Sequence, residues 1–239
     1  MTASTGLRAR VRAELIDEIK NEARRQIDEV GAQALSLRAI ARQLNMVSSA
    51  IYRYFPSRDQ LLTALIVDGY NAMGAAVEEA DASCRRDDIS ARWTTDCRAV
   101  RAWALEHPQE YGLVYGSPVP GYVAPQDTVV PASRVALVFA SLLHDAAQAG
   151  MLSEPFKKAT ETASSRAIIE SVRSTVDELD GLSDEVIVRS LVAWTQLFGL
   201  VSFELYGHLH GVVDDLDAFF DSSVKQMGIF VGLLAHDVS

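Results

Sequence analysis

The sequence predicts an all-α protein of about nine to ten helices, with a small three-helix domain at the N-terminus and a larger helical domain after it. Apolar residues recur at steps of three and four along most of the chain, as they do on the buried face of a helix. No stretch of useful length alternates between apolar and polar residues as a half-buried strand does. In addition, two short helical segments lie close together between Ser36 and Arg58, which is the pattern of a helix-turn-helix.

The first short segment, LRAIARQL, places Leu37, Ile40 and Leu44 on one face of a helix. Ser36 stands immediately before it, where a hydroxyl can accept a backbone N–H of the first turn. Asn45 follows it, and asparagine tolerates the positive φ that ends many helices. We therefore predict a short capped helix followed by a tight turn.

The second short segment, SSAIYRYF, buries Ile51, Tyr54 and Phe55 and leaves the small residues 48–50 exposed at its start. Pro56 ends it, because proline disfavours helical geometry in the preceding residue. Small side chains at the start of such a helix allow close approach to base edges in a DNA major groove. The segment is therefore the predicted recognition helix.

The string IYRYFPSRDQLL resembles the Leu-Tyr-x-x-Phe-x-x-Lys/Arg-x-x-Leu-Leu ending of the TetR family motif, and its spacing from LRAIARQL is similar. The likeness covers roughly residues 8–65 well and the remainder in architecture. It implies a DNA-binding domain at 1–56 and a ligand-binding and dimerisation domain at 57–239. It also implies a homodimer that binds a palindromic operator, more often as a repressor than as an activator, and that a small-molecule effector releases. Val47 departs from the Ser or Thr usual in the family, which removes a hydroxyl cap.

A second likeness lies near the C-terminus. One TetR subgroup carries the string W-x-x-x-H-G-x-x-x-x-E, which corresponds here to Trp194, Phe198, Gly199 and Glu204. Phenylalanine replaces the histidine, so a role of that imidazole cannot be carried over.

Arg38 is the strongest candidate for base recognition, because a guanidinium can donate two hydrogen bonds to guanine O6 and N7. The alternatives are a solvated side chain for Arg38 and core packing for Tyr54. The full set of predicted DNA-binding residues is Ser36, Arg38, Ser48, Ser49, Ala50, Tyr52, Arg53, Tyr54 and Arg58.

The charge distribution is uneven and is compatible with DNA binding. The chain has 239 residues and a net charge of −10. Residues 1–60 contain ten Lys/Arg and seven Asp/Glu, a net +3, whereas residues 61–239 contain twelve and twenty-five, a net −13. A basic module joined to an acidic body is typical of a polyanion-binding domain on a solvated helical one.

Composition also bears on location. The hydrophobic fraction of 49% and the charged fraction of 23% are those of ordinary globular proteins. No apolar run reaches the roughly 18 residues of a membrane span, and MTASTGLRAR lacks the apolar segment of a secretory signal. Cys84 and Cys97 have neither metal-binding nor redox spacing, and a disulfide between them is the alternative. We expect a cytoplasmic protein without a membrane partner.

Helical periodicity places the remaining elements. A long amphipathic helix is expected over residues 7–30, and Arg8, Arg10 and Arg12 at its start could contact phosphates or form a solvated tail. Ser57 should cap a helix that connects the two domains, and Pro108 should begin another. Further helices are predicted near residues 90–107, 130–149, 155–180, 183–209 and from Asp214.

The larger domain has enough aromatic and apolar surface to line an effector pocket. The alternative for each of these residues is core packing. The predicted ligand-binding residues are Trp103, Tyr111, Tyr115, Tyr122, Phe139, Leu143, Trp194, Phe198 and Glu204. Asp96, His107 and His144 are further polar groups that could anchor a ligand or be satisfied structural groups.

The last two predicted helices are too apolar to be covered by a single neighbouring face. We predict that they pair with their symmetry mates as a four-helix dimer interface, and packing within one chain is the alternative. The predicted interface residues are Leu197, Val201, Leu205, Phe220, Met227, Gly228, Val231 and Gly232.

Enzyme and metal functions are not predicted. The chain has no nucleophile elbow, no phosphate-binding glycine loop and no zinc-protease motif. His208 and His210, with Asp214 and Asp215 nearby, could suggest a metal site. On a helix the two histidines lie about 200° apart and cannot easily share one ion, unless the helix has already ended at Gly207. No cofactor is expected. A helical carrier or interaction protein that no longer recognises DNA is the main alternative function.

Overall fold

The computed structural model describes residues 3–153, 163–173, 176 and 179–234. The fold is all-α, as predicted, and ten α-helices lie in these residues. Their bounds are α1 Ala3–Val30, α2 Leu37–Gln43, α3 Ser48–Ile51, α4 Arg58–Ser83, α5 Ile89–Glu106, α6 Pro108–Tyr115, α7 Val129–Gln148, α8 Ala163–Arg173, α9 Asp184–Leu205 and α10 Leu216–Val231.

Several helix ends are determined by the residues that the sequence indicated. The Ser36 hydroxyl accepts a hydrogen bond from the Ala39 backbone N–H, and Pro108 occupies the first turn of α6. Asn45 is the non-glycine residue with a positive φ, 54°, in the described part of the chain. The start of α10 was predicted one residue early, because Asp215 rather than Asp214 accepts the capping bond from Ala218.

Asn45 allows a stability prediction. A left-handed conformation costs an ordinary residue roughly 1–2 kcal/mol, and asparagine less. We expect Asn45→Ala to lower the free energy of unfolding by about 1 kcal/mol, measured by urea denaturation, and Asn45→Gly to leave it nearly unchanged. An equal loss in both variants would mean that the Asn45 side chain, not its backbone conformation, stabilises the turn.

The chain divides into two compact units. Unit 1 consists of Met1–Asn71 and His107–Pro131, and unit 2 consists of Ala72–Glu106 and Ala132–Ser239. Unit 1 therefore contains α1, α2, α3, the first half of α4, and α6 with the loop that follows it. The boundary at residues 56 and 57 stays a prediction.

A continuous apolar core forms the centre of unit 1. Ile19 and Ala23 of α1, Ile40 of α2, Ile51 of α3 and Leu61 of α4 are fully buried together. Residues after α5 also pack against this core, namely Leu113, Val114, Val119 and Tyr122. The helix-turn-helix thus rests on α1, α4 and α6.

The core of unit 2 is aromatic at its centre. The Trp93 indole of α5 donates to the Val224 carbonyl of α10 at 2.9 Å. Its ring meets Phe139 of α7 edge to face, and Phe139 meets Trp194 of α9 in the same way. These contacts tie four helices to one another.

Two helical segments, Gln126–Gln148 and Asp184–Leu205, are long and apolar enough to cross a membrane by length and composition, with mean hydropathy of 1.3 and 1.6. The sequence prediction had required an uninterrupted apolar run and so did not single them out. Buried helices of soluble bundles share this composition.

The predicted helix at 155–180 is described only in part, because residues 154–162 lie outside the described residues.

Candidate functional site

The α2–turn–α3 segment presents polar and small side chains to solvent. Arg38, Ser48, Ser49, Tyr52 and Arg53 are exposed, while Ile51 between them is fully buried. Of the other predicted DNA-binding residues, Ser36, Ala50, Tyr54 and Arg58 are half-buried. Val47 precedes the first residue of α3 and provides no side-chain cap, as the loss of the hydroxyl implies.

The guanidinium groups of this surface differ in whether a carboxylate of the described residues pairs with them. Arg58 forms an ion pair with Asp59 at 2.8 Å. Within the described part of the chain, no carboxylate lies at ion-pair distance from the guanidinium groups of Arg38, Arg42 or Arg53. These three positive charges are available to a polyanion.

The beginning of α1 also reaches α3. The Arg12 guanidinium lies over the Tyr54 ring, 5.1 Å from its centre, and donates to the Arg53 carbonyl at 3.4 Å. Tyr54 also packs against the apolar core of unit 1, which is its alternative interpretation. Arg12 adds an exposed cation beside the recognition helix, which the predicted site had left out although the sequence placed three arginines at this end of α1.

Ion pairs hold α1 against α4 and α6. Lys20 and Arg24 both contact the Asp68 carboxylate at 2.9 Å, and Arg24 also lies 3.5 Å from Glu110. Such partly exposed pairs contribute little individually, but they connect α1 to both neighbours of the same unit. These ion pairs therefore link the helices on which the recognition helix rests.

Three predicted ligand-binding tyrosines belong to unit 1. The Tyr122 hydroxyl lies 2.9 Å from the Thr63 hydroxyl on α4. Tyr115 packs edge to face on Tyr70 and also beside Tyr111. Burial raises the pKa of Tyr115. Their contacts therefore anchor α6 and its loop to α4 within unit 1.

A cavity in unit 2 lies among other predicted ligand-binding residues. It has a volume of about 30 Å³. Phe139, Leu143 and Trp194 line it together with Trp93 of α5, and Phe198 stacks on Trp194 with ring centres 4.5 Å apart. Trp103 is buried in α5 but does not line this cavity. A larger groove of about 340 Å³ lies in unit 1, between the end of α1 and α6.

Glu204 is engaged by an arginine. Its two carboxylate oxygens accept hydrogen bonds from Arg101 of α5 at 2.6 and 2.8 Å. Arg101 also contacts Asp217 at 2.7 Å and lies over the Phe220 ring. Both carboxylates raise the pKa of Arg101, the Glu204 hydrogen bond most. Glu204 thus joins α5 to α9, which is the structural alternative to its predicted ligand role.

Asp96 of α5 has the opposite environment. It is 0% exposed, and neither carboxylate oxygen has a hydrogen-bond partner among the described residues. Burial, and next the charge of Asp81, raise its pKa to about 7. Arg92, one turn earlier, donates instead to Asp81 at 2.7 Å and to Asp145 at 2.8 Å.

Burial corrects the predicted dimer-interface residues. Leu197, Val201, Phe220, Met227 and Val231 are at most 1% exposed within the single chain. Gly228 and Gly232 are also buried, where an added Cβ would strike Leu234 and Ser153 respectively. Leu205 alone of the predicted set is half-buried. The residues other than Leu205 belong to the core of the single chain, so a partner cannot reach them.

The outer face of α9 is apolar as well. Apart from Gln196, which is polar, its exposed residues recur at helical steps, namely Val188, Leu191, Val192, Thr195, Phe203 and Tyr206. Gly199 lies in the middle of this face, and a Cβ added there would meet nothing within 4 Å. We call these seven residues the α9 face.

The histidines near the end of α9 are not on a helix. The helix ends at Leu205, so the angular argument against a shared ion at His208 and His210 does not apply. In the described part of the chain, no group of three or more His, Cys, Asp or Glu side chains could hold a metal ion.

Comparison with known proteins identifies both halves of the chain. A family model described as "Bacterial regulatory proteins, tetR family" matches residues 19–65. A second, described as "Tetracyclin repressor-like, C-terminal domain", matches residues 93–227. The HTH-type transcriptional regulators Rv1816 of Mycobacterium tuberculosis and Mb1846 of Mycobacterium bovis are each 36% identical to this chain, with 98% of both chains covered.

Solved structures share the fold. The regulatory protein SCO4313 is 35% identical, with a TM-score of 0.74 over 92% of this chain and 97% of its own. A regulatory protein of the tetR family from Rhodococcus RHA1 has a TM-score of 0.62 at 17% identity, over 92% and 98%, and supports the fold alone. Together with the α2–turn–α3 surface, these matches show that the protein belongs to the TetR family of helix-turn-helix transcriptional regulators.

Proposed function

We propose that the protein is a cytoplasmic repressor that binds a palindromic operator as a homodimer and is released by a small-molecule effector bound in unit 2. The observation that carries the DNA-binding part is the α2–turn–α3 surface. There, the exposed guanidinium groups of Arg38, Arg42 and Arg53 have no carboxylate partner among the described residues, and the same segment exposes small residues at the start of α3.

Each side chain has a distinct proposed role in this complex. Ser48, Ser49 and Ala50 let the start of α3 approach the bases, while Arg38 donates to a guanine edge. Tyr52, Arg53 and Arg12 bind phosphates and determine the orientation on the duplex. Ser36 and Arg58 are more distant backbone contacts, and Tyr54 supports Arg12.

We place the dimer contact on the α9 face. An apolar stripe on an exposed helix indicates a partner, since isolated helices expose polar residues there. A glycine in the middle of a helix is destabilising relative to alanine by about 0.5–1 kcal/mol. Its absent side chain is useful where a second helix backbone approaches closely. In the dimer, two recognition helices about 34–36 Å apart would match one turn of DNA.

Arg38→Ala tests the DNA-binding proposal. Loss of a bidentate contact to guanine removes about 1–3 kcal/mol of discrimination, so affinity for the cognate operator should fall about 10- to 100-fold. Fluorescence anisotropy with DNA from upstream of the gene measures this, and Arg98→Ala in unit 2 is the control, because Arg98 is an exposed arginine paired with Asp221.

A salt series on the wild-type protein completes this experiment. Contacts to phosphates release counterions, so log K should fall linearly with log salt. A wild-type protein that shows no sequence preference and a flat salt dependence would instead be the helical carrier or interaction protein.

A further inference from the structure

The groove of unit 1 has the size of a small-molecule site. Its volume of about 340 Å³ lies within the range of such sites, roughly 300–1,000 Å³. One wall is the end of α1 with the turn Ala32–Ala34, and the other is α6 with the start of the loop that follows it. The predicted DNA-binding residues do not line the groove. It is therefore separate from the side chains proposed to contact DNA.

One part of the groove is apolar. Leu113 and Val119 line it and pack with their other sides against the core of unit 1. Val30, at the end of α1, also lines it and is 58% exposed. Removing this apolar surface from water would favour binding of a molecule with an apolar body. Gly112 belongs to the wall in the middle of α6, where glycine destabilises a helix relative to alanine but leaves the most room for a ligand.

The polar part of the groove consists of side chains that have no hydrogen-bond partner among the described residues. These are Gln33, Gln109 of α6 and Ser117, and all three are exposed. A glutamine amide and a serine hydroxyl each offer both a donor and an acceptor. They are therefore available to a carbonyl, amide or hydroxyl group of a ligand.

The groove has no charged lining. Among the described residues, no Asp, Glu, Lys, Arg or His lines it. A smaller space that shares part of its wall is lined by Arg24, Asp28 and Glu110, and Arg24 already pairs with Glu110 at 3.5 Å. A carboxylate or an ammonium group in the groove would lose hydration without gaining a partner of opposite charge. The lining therefore favours an uncharged ligand.

We propose that the groove of unit 1 binds an uncharged small molecule that has an apolar body and an amide, ester or hydroxyl group. The apolar body covers Val30 and Leu113, and the polar group forms hydrogen bonds with Gln33 and Gln109. This site goes beyond the proposed function, which places the effector in unit 2. Its occupant would contact the connection between α1 and α2, because Gln33 precedes the capping residue Ser36 by three positions.

A series of ligands matched in length and different in charge tests the chemical class. Octanamide, octanoate and protonated octylamine, together with the hexyl and decyl compounds of each type, are titrated into the full chain at pH 7 by calorimetry. We expect at least one amide to bind at least tenfold more tightly than the carboxylate and the amine of the same length, since only the amide enters without losing the hydration of a charge.

Variants that fill the groove test the location. Gln109→Trp and Ser117→Trp each add an indole at an exposed position of the groove wall, and each should weaken amide binding at least tenfold. The control is Gln60→Trp, which replaces an exposed glutamine of α4 outside the groove and should bind the amide as the wild type does. Urea denaturation of all three variants verifies that each is folded.

Three results would overturn the inference. The first is that no amide binds the wild type up to its solubility limit, and the second is that an ion binds as tightly as the amide of its length. The third is amide binding that persists in both groove variants or falls equally in Gln60→Trp, which would place it elsewhere, such as on the α9 face. Operator binding by the same preparations separates these outcomes from the proposed function: a protein that binds its upstream DNA but no amide loses only the inference.

Discussion

Replacing Gly199 by tryptophan is expected to separate the dimer and, with it, to abolish tight operator binding. The added side chain projects from the middle of the α9 face, where the single chain leaves open space. A partner helix packed there would be pushed away by the width of an indole. We expect the dimer dissociation constant to rise at least about 100-fold, equivalent to roughly 2.7 kcal/mol, when measured by sedimentation over a concentration series.

Two variants show whether this effect arises at the interface. Gly199→Ala should stabilise the helix by about 0.5–1 kcal/mol and should not break the dimer by its size. Glu79→Trp places the same large side chain on an exposed position of α4 and should leave the dimer intact. A wild-type monomer at micromolar concentration, or an unaltered dimer in Gly199→Trp, would refute the assignment of the α9 face.

Replacing Asp96 by asparagine is expected to make stability less dependent on pH. The folded protein holds the Asp96 proton up to a pKa of about 7, against an ordinary value of 3.8. Binding of this proton therefore contributes fully to the free energy of unfolding below pH 4. The contribution declines as the pH rises to 7 and is absent above pH 7. Asparagine cannot ionise, so the free energy of unfolding of the variant should rise relative to that of the wild type across the same pH interval.

The size of this effect follows from linkage. Each pH unit between the two pKa values corresponds to about 1.4 kcal/mol. Between pH 4 and pH 8, the free energy of unfolding of Asp96→Asn should therefore rise relative to the wild type by at most about 4 kcal/mol. Urea denaturation at both pH values measures it. Asp221→Asn should show no such gain between these pH values. Hydrogen bonds from Arg98 lower the pKa of Asp221 from its ordinary value of 3.8, so this carboxylate is ionised in the folded and the unfolded protein throughout the interval. Parallel pH profiles for wild type and Asp96→Asn would show that Asp96 ionises normally in the folded protein.

The helix-turn-helix was predictable because its signals are local. Ser36 and Asn45 act on the backbone within one or two turns, and the structure places each as the sequence indicated. The spacing of LRAIARQL and IYRYFPSRDQLL likewise specifies which side of each short helix is buried. Consequently the exposed guanidinium groups of Arg38 and Arg53 could be anticipated.

Residues that depend on distant packing could not be assigned in this way. The pattern of Tyr111, Tyr115 and Tyr122 shows that they are near apolar surface, but only the folded chain shows that α6 and its loop pack in unit 1. Similarly, Glu204 and Asp96 look alike in sequence. In the folded chain, Arg101 donates hydrogen bonds to Glu204, whereas the Asp96 oxygens have no hydrogen-bond partner among the described residues.

The sequence by itself determined the all-α class, the helix-turn-helix, its exposed cations and the family. The tertiary structure decided which of the two apolar sides of α9 is covered within the chain: Leu197 and Val201 are buried, and Val192 and Phe203 remain exposed. The physical reason is that periodicity records how apolar a helix face is, whereas the neighbour that covers the face comes from segments far away in the chain.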